Sequence, residues 1–303
     1  MALVVQAVPA GPVAPAADGS NVTPVRPEFL PDASLSRDEM ETLQRDIADN
    51  AVFKDEIDFD PTAVQRVADP SQQQLTTAAS DIDSDEPADD GDGDTAESTA
   101  TDAPLVAGID QAFLDDRAIS AVVVLQGGEV VERTHAVTDL SIPYIPGLLA
   151  FREGGPIVAA LETLDSDPDL LCIDGSGRIH YRLAGLATHI GVVFDTPSVG
   201  IAKNLLCGEP QESVEGRPTG WRTPIAADDA VDCANGTVIG YAYQSRQYDS
   251  PNRHINPLYV SPGHRVAADT AVEIVAACSG GYKLPEPTRL ADSYADEIKA
   301  ELS

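Results

Sequence analysis

No stretch of the 303 residues approaches the roughly 20 consecutive apolar positions needed to cross a bilayer, so a membrane-spanning helix is excluded and a cytoplasmic protein without a membrane partner is expected. Cysteine is scarce. Cys172, Cys207, Cys233 and Cys278 lie far apart with no paired spacing, which indicates neither a disulfide framework nor a zinc site and fits a reducing compartment. The opening run is apolar but lacks a basic start and is broken by Pro9, Gly11, Pro12 and Pro15, so it does not suit a signal peptide. Positive charge is also in short supply: 4 lysines and 15 arginines face 50 acids, for a formal net charge of −31. Taken alone, that balance argues against nucleic acid as a partner. Aromatic residues are absent between Asp81 and Thr95, where 8 of 15 residues are acidic, and no apolar periodicity is visible from about Glu56 to Asp102. Such a segment cannot build a core and is expected to be a disordered insertion whose removal from Asp60 to Thr101 spares folding.

Regular patterns occupy the rest. Ser36 and Glu39 have capping-box spacing, and Met40, Leu43 and Ile47 supply one apolar stripe, which predicts a helix from Ser34 onward. A buried-type strand over 105–109 ends at Asp110, and strands over 118–125 and 129–137 follow, joined across Gly127-Gly128. Pro156 sits where a first helical residue would, with Ile157, Leu161 and Leu164 on one face behind it. A short strand over 170–173 ends at Asp174. Further strand pieces are expected at 192–194 and 199–202, and a strand at 258–260 runs into Pro262-Gly263-His264 before two closing helices. Three consecutive antiparallel strands followed by alternating helix and strand imply an α/β protein whose mixed sheet is covered by helices on both faces, the order of the ribonuclease H-like fold.

The acids fall where carboxylates are costly: Asp110 and Asp174 end apolar strands, and Glu153 lies just before the expected helix. Each alone reads as a turn, cap or solvated residue. Brought together they imply a cation, and all-oxygen ligands suit Mg²⁺, with Mn²⁺ able to substitute. Such a site hydrolyses phosphodiesters by activating water and stabilising the leaving oxygen. His264, placed between a strand and a helix N-terminus, is a candidate ligand or proton acceptor, though alone it reads as a capping residue. Lys203, after 199–202, could neutralise charge on the scissile phosphate. His180 and Arg182 follow Asp174 closely enough to reach the same region, whereas His189 reads as a satisfied core histidine.

The words around these residues resemble the endonuclease V family. Val106-Ala107-Gly108-Ile109-Asp110 looks like its first strand, and the run from Pro143-Tyr144-Ile145-Pro146-Gly147 to Phe151-Arg152-Glu153 is the longest match. Asp174-Gly175-Ser176-Gly177 with His180, Gly200-Ile201-Ala202-Lys203, Val260-Ser261-Pro262-Gly263-His264 and Tyr282-Lys283-Leu284-Pro285-Glu286-Pro287-Thr288-Arg289 continue it in order. The resemblance implies Mg²⁺-dependent incision of DNA, duplex or single-stranded, at the second phosphodiester bond 3′ to deoxyinosine, leaving a 3′-hydroxyl and a 5′-phosphate. It implies Asp110, Glu153 and Asp174 as metal ligands, with His264 and Lys203 completing the catalytic set. Tyr144, beside Pro143, matches the family's wedge, and Gly175, Gly177, His180 and Gly263 would lie near the flipped base or phosphate. Inosine-bearing RNA is the alternative substrate, and a non-catalytic binder of deaminated DNA the alternative class. A monomer is expected.

Gln111 departs from the family, standing where a small apolar residue is expected after the first metal ligand. The scarcity of lysine and the spread of acid along the whole chain resemble proteins of salt-loving archaea, and at about 1 M salt the Debye length is only about 3 Å, so repulsion of nucleic acid is largely screened. The expected division is a flexible leader (1–33), an N-terminal helix packing on the catalytic domain (34–55), the acidic insertion (56–103) and a ribonuclease H-like endonuclease domain (104–303).

Overall fold

The structure, a computed structural model, describes residues 22–64, 103–250 and 252–303. Strands β1 (Leu105–Leu114), β2 (Arg117–Gln126) and β3 (Glu129–Asp139) form an antiparallel meander. Gly127 and Gly128 both have positive φ, at 58° and 84°, and so make the two-residue turn whose twist matches that of the flanking strands. Strands β4 (Leu170–Asp174) and β5 (Ser198–Ala202) then run parallel to β1, with Ile109 beside Ile173 and Asp174 beside Ile201. Antiparallel strands complete the sheet: β6 (Glu209–Pro210), β7 (Arg222–Ala226), β8 (Val238–Tyr243) and β9 (Leu258–His264). Among the described residues the order is β3-β2-β1-β4-β5-β9-β8-β7-β6.

Alternate residues of the central strands enter opposite cores, as the two-residue period of a strand requires. Ala107, Ile109, Leu171 and Ile173 pack with Ile157, Leu161, Ile190 and Val193 of α2 (Leu149–Leu161) and α3 (Leu186–Phe194). Val106, Leu170 and Cys172 pack with Val272, Ile274 and Val275 of α4 (Ala268–Ala277). The last helix, α5 (Glu286–Leu302), lays Ala291, Ala295 and Ile298 across β1 and β2. Its start is seated directly on β1, because a Cβ on Gly108 would lie 2.0 Å from the Pro287 carbonyl oxygen. The expected α/β sheet with helices on both faces is therefore present.

Three local expectations are corrected. Pro156 lies inside α2, and Glu153 is a helical residue rather than one ahead of the helix. Pro156 deprives the Arg152 carbonyl of its usual amide donor, and burial of Ile157, Ala160 and Leu161 outweighs that loss. Residues 192–194 form the buried end of α3, an apolar run that periodicity cannot assign to strand or helix. Residues 22–33 of the expected leader and 56–64 of the expected insertion instead contribute to the packed body. Val22 and Phe29 are core residues, the Val25 and Arg26 amides each donate to the Val193 carbonyl at 2.9 Å, and His189 donates to the Phe29 carbonyl at 2.7 Å. Burial holds His189 neutral by lowering its pKa to about 4.

Helix α1 (Arg37–Asn50) has the expected capping box, and the chain beyond it stays in contact with the body. The Asp55 carboxylate accepts from the Ala267 amide at 2.7 Å and the Thr270 hydroxyl at 2.8 Å, capping α4 from a distance. Ile57, Phe59 and Val64 pack into the same core, with Val64 1% exposed. Residues 1–21 and 65–102, which hold the rest of the expected leader and insertion, lie outside the described residues.

Val64 lines a small cavity together with Pro104 and Val106, so the described residues on either side of 65–102 lie close together. Replacing 67–101 with a short Gly-Ser linker is therefore expected to leave the melting temperature within about 3 °C of wild type. A deletion that starts at Asp60 also removes Val64, whose burial is worth about 1.5–3 kcal/mol, and lowers it by roughly 3–10 °C. Equal melting of the two deletions in a thermal scan would contradict this boundary.

Candidate active site

The carboxyl ends of β4 and β5 open into a cleft of about 560 Å³ lined by Asp110, Glu153, Asp174, Lys203 and Asp292, with Tyr144, Gly175 and His180 on its walls. Asp110 comes from β1, Asp174 from the end of β4, Glu153 from α2 and Asp292 from α5, so four separate elements each bring one acid. Asp110 is only 8% exposed. Burial, the neighbouring Asp174 carboxylate and a carboxyl–carboxyl hydrogen bond with Asp292 push its pKa up to about 9. Burial also raises Glu153 to about 7 against the opposing pull of Arg152. The Lys203 ammonium bonds Asp174 Oδ2 at 2.6 Å and lies 3.9 Å from Asp292 Oδ1.

Asp292 was not singled out in the sequence. An acid on an amphipathic helix reads as part of its solvated face, and only the seating of Pro287 on Gly108 turns this one towards Asp110. Gln111, the departure from the family pattern, donates to the Glu153 backbone carbonyl at 3.1 Å and to the Ser120 hydroxyl, fixing α2 against β1 and β2.

Tyr144 is 64% exposed on the loop before α2, while Ile142 and Ile145 on either side of it pack with Met40, Leu148 and Phe151. Pro143 is exposed beside it. The loop is pinned at one atom: the Gly147 carbonyl accepts from Gln44 Nε2 at 3.0 Å, His180 Nε2 at 3.1 Å and Arg182 Nη2 at 3.2 Å. Arg182 Nε donates in turn to Gln44 Oε1 at 2.7 Å. Burial lowers the His180 pKa to about 4, so a neutral ring donates through Nε2 and accepts the Arg182 amide at Nδ1. His180 thus holds the Tyr144 loop. Gln44, a buried polar residue on α1 that sequence patterning missed, is what links the N-terminal helix to the cleft.

His264 does not join the acids. It pairs with Ser198 at the start of β5, whereas Lys203 follows the other end, where Ala202 pairs with Tyr259. Four residue steps along a strand are about 13 Å. His264 is fully buried, hydrogen-bonded through Nε2 to Asp195 Oδ1 at 3.0 Å and through Nδ1 to the Val52 amide at 3.2 Å. Continuation of β9 through Pro262 and Gly263 carries it there, in place of the turn that the sequence suggested. Gly177 and Gly263 are likewise packing positions. A Cβ on Gly177 would meet the Pro262 carbonyl oxygen at 2.3 Å, and one on Gly263 the Ser198 hydroxyl at 2.2 Å. Of the three glycines only Gly175 lines the cleft.

The family model described as Endonuclease V matches residues 93–293. A curated relative from Haloarcula marismortui, named Endonuclease V, is 61% identical over 281 residues, covering 92% of this chain and 98% of its own. The crystal structure of Endonuclease V from Streptomyces avermitilis superposes with a TM-score of 0.62 at 29% identity, covering 92% of this chain and 99% of its own. Endonuclease V from Ciona intestinalis, solved in complex with a 24mer DNA containing an inosine followed by a ribo-adenosine, gives a TM-score of 0.62 at 22% identity, covering 88% of this chain and 98% of its own. The fold is ribonuclease H-like, and the family model matched over two thirds of the chain, together with a curated relative 61% identical over 92% of it, shows that this chain is a nuclease that belongs to the endonuclease V family.

Proposed function

We propose that the protein incises DNA at the second phosphodiester bond 3′ to deoxyinosine, leaving a 3′-hydroxyl and a 5′-phosphate, with Mg²⁺ or Mn²⁺ as cofactor. The observation that carries this reading is the convergence of Asp110, Glu153, Asp174 and Asp292 on one cleft beneath an exposed, rigidly held Tyr144. The donor set fits such an ion in kind. Its groups are all oxygen, and Asp110 is buried against Asp174 at an electrostatic cost that a cation would offset. As they stand, no three such side chains among the described residues form a ready ligand cage, and Lys203 holds Asp174. Asp110, Asp174 and Asp292 would hold the ion, with Glu153 facing the same space. When bound, it lowers the pKa of water and stabilises negative charge on phosphate oxygens. Lys203 adds positive charge beside the phosphate, and Glu153, raised to about 7, is poised to take or give a proton near neutrality. Tyr144 fills the gap left by the displaced base.

A labelled duplex with a single inosine, incubated with the protein and Mg²⁺ at high salt beside the matched RNA, tests the reading. Nicking of the DNA one phosphodiester beyond the inosine's 3′ neighbour is expected, and loss of nicking on chelation. Uncut inosine duplex, or RNA cut in preference, would overturn it.

The wedge makes a separable prediction. Because Tyr144 stands out on a pinned loop, Tyr144→Ala removes an aromatic that offsets an unstacking cost of a few kcal/mol, weakening incision of duplex inosine by about 10- to 100-fold. Single-stranded inosine, with less stacking to disrupt, suffers much less, and the melting temperature stays within about 2 °C. Equal losses on both substrates would show that Tyr144 is no wedge.

A further inference from the structure

Acid is spread through this chain at about one residue in six, yet between Cys233 and Ala268 a single acid, Asp249, appears in 36 residues, alongside Arg246, Arg253, His254 and Arg265. The centre of that stretch is the 244–257 connection between β8 and β9. Two glutamines hold it in shape. Gln244, fully buried, donates to the carbonyls of Arg246 at 2.6 Å and Ile255 at 2.9 Å. Gln247 accepts the Ile255 amide at 2.9 Å and donates to the Arg217 carbonyl at 3.1 Å, tying the connection to the 217–221 turn. On this frame Arg253 stacks on the Tyr248 ring at 4.2 Å, with Arg246 at 5.8 Å, and Arg217 stacks on Trp221, the chain's single tryptophan, at 4.6 Å.

Arg246, Arg253 and His254 are exposed, and among the described residues neither arginine is paired with a carboxylate. Arg217 is paired with Glu212 at 3.4 Å. An arginine held over an aromatic ring keeps donors free for phosphate.

Topology places this surface at the cleft end of the sheet. Tyr243 pairs with Leu258 and with Arg222, and Ala202 pairs with Tyr259, so the 244–257 connection, the 217–221 turn and Lys203 all lie at one end. The Ser245 hydroxyl donates to the carbonyl of Lys283, whose ammonium lies within electrostatic range of Lys203 and Asp174. From β4 to β8 or β7 is three or four strand spacings, or about 14–19 Å, which spans roughly four to six nucleotides of a stacked strand.

We propose that Arg246, Tyr248 and Arg253, buttressed by the 217–221 turn, grip the nucleic-acid strand that flanks the cut, about four to six nucleotides from the scissile phosphate. The proposal rests on the reading of the cleft as the site of phosphodiester cleavage. An anionic polymer is the partner argued for, because these cations interrupt the acidic surface where a strand leaving the cleft would pass.

The test uses the full chain, the Arg246→Ser/Arg253→Ser variant, and inosine duplexes extending roughly ten nucleotides on both sides of the lesion or cut short on one side or the other. On the long duplex the double variant is expected to raise KM about tenfold with little change in kcat. It should also flatten the dependence of log Kd on log salt by about 1.8, the effect of two lost phosphate contacts. On a duplex shortened on one particular side, wild type and variant converge to within twofold. A difference that survives both truncations, or an unchanged salt slope, overturns the proposal. So does a shift in sedimentation with substrate binding intact, which would mark the patch as a protein contact. If wild type fails to nick inosine duplex at all, the substrate reading falls, and the salt slope of duplex binding still decides the proposal.

Discussion

Asp110→Ala and Asp174→Ala are each expected to lower inosine-duplex incision by on the order of 10³-fold or more while leaving the fold intact, because both carboxylates serve the proposed cation and the phosphate rather than the core. Asp292→Ala belongs with them. Stability separates this from a structural role. Burial and Asp174 hold the Asp110 carboxyl up to about 9, so the folded protein binds a proton that the unfolded chain releases near the ordinary carboxylate range. A raised folded pKa contributes stability at low pH that is lost progressively as pH rises from about 4 towards 9. Without divalent ions Asp110→Asn, which mimics the neutral carboxyl, should therefore gain stability relative to wild type across that interval. Mg²⁺ should raise the melting temperature of wild type and not of the variant, because only wild type retains the ligand. Undiminished incision by either alanine variant, read on a nicking gel, would remove the acids from the mechanism.

His264→Ala is expected to act in the opposite manner, lowering stability by about 3–4 kcal/mol with no selective effect on the chemistry. The imidazole is fully buried and joins Asp195 to the Val52 amide. Asp195 is a hub: it ends α3 in a left-handed conformation at φ 53° and also receives Arg265 at 2.8 Å and Arg26 at 3.3 Å. Truncation leaves a cavity, an amide without its acceptor and a carboxylate short of one donor, and each of these costs on the order of 1 kcal/mol or more. Denaturant titration would show the loss directly. The active fraction, counted by burst or binding stoichiometry at a temperature where the variant is folded, should turn over within about threefold of wild type. A variant of unchanged stability that no longer nicks would return His264 to the catalytic set.

The sequence by itself determined the central elements, because their signals are local. The apolar runs at 105–109 and 118–125, the Gly127-Gly128 turn, the capping box at Ser36 and the stripe of Leu290, Tyr294 and Ile298 each declare a strand, turn or helix without reference to distant residues. Asp110, Glu153 and Asp174 were legible as well, since a carboxylate next to an apolar run is conspicuous. Strands β6, β7 and β8 were not. They are short, interrupted by Pro210, Pro224 and Gly240, and held by pairing in series, β8 on β9, β7 on β8 and β6 on β7, rather than by their own pattern.

Only the tertiary structure decided which residues share the cleft. Asp292 enters it because Gly108 admits Pro287 against β1, a contact between residues 179 positions apart. His264 is withdrawn because β9 continues through Pro262, and His180, on the cleft wall, spends its Nε2 proton on the Gly147 carbonyl that Gln44 and Arg182 also bond. In every case the cause is a non-local hydrogen bond or close backbone contact. Such contacts leave no periodicity in the chain, since they depend on where two elements cross and not on the pattern within either.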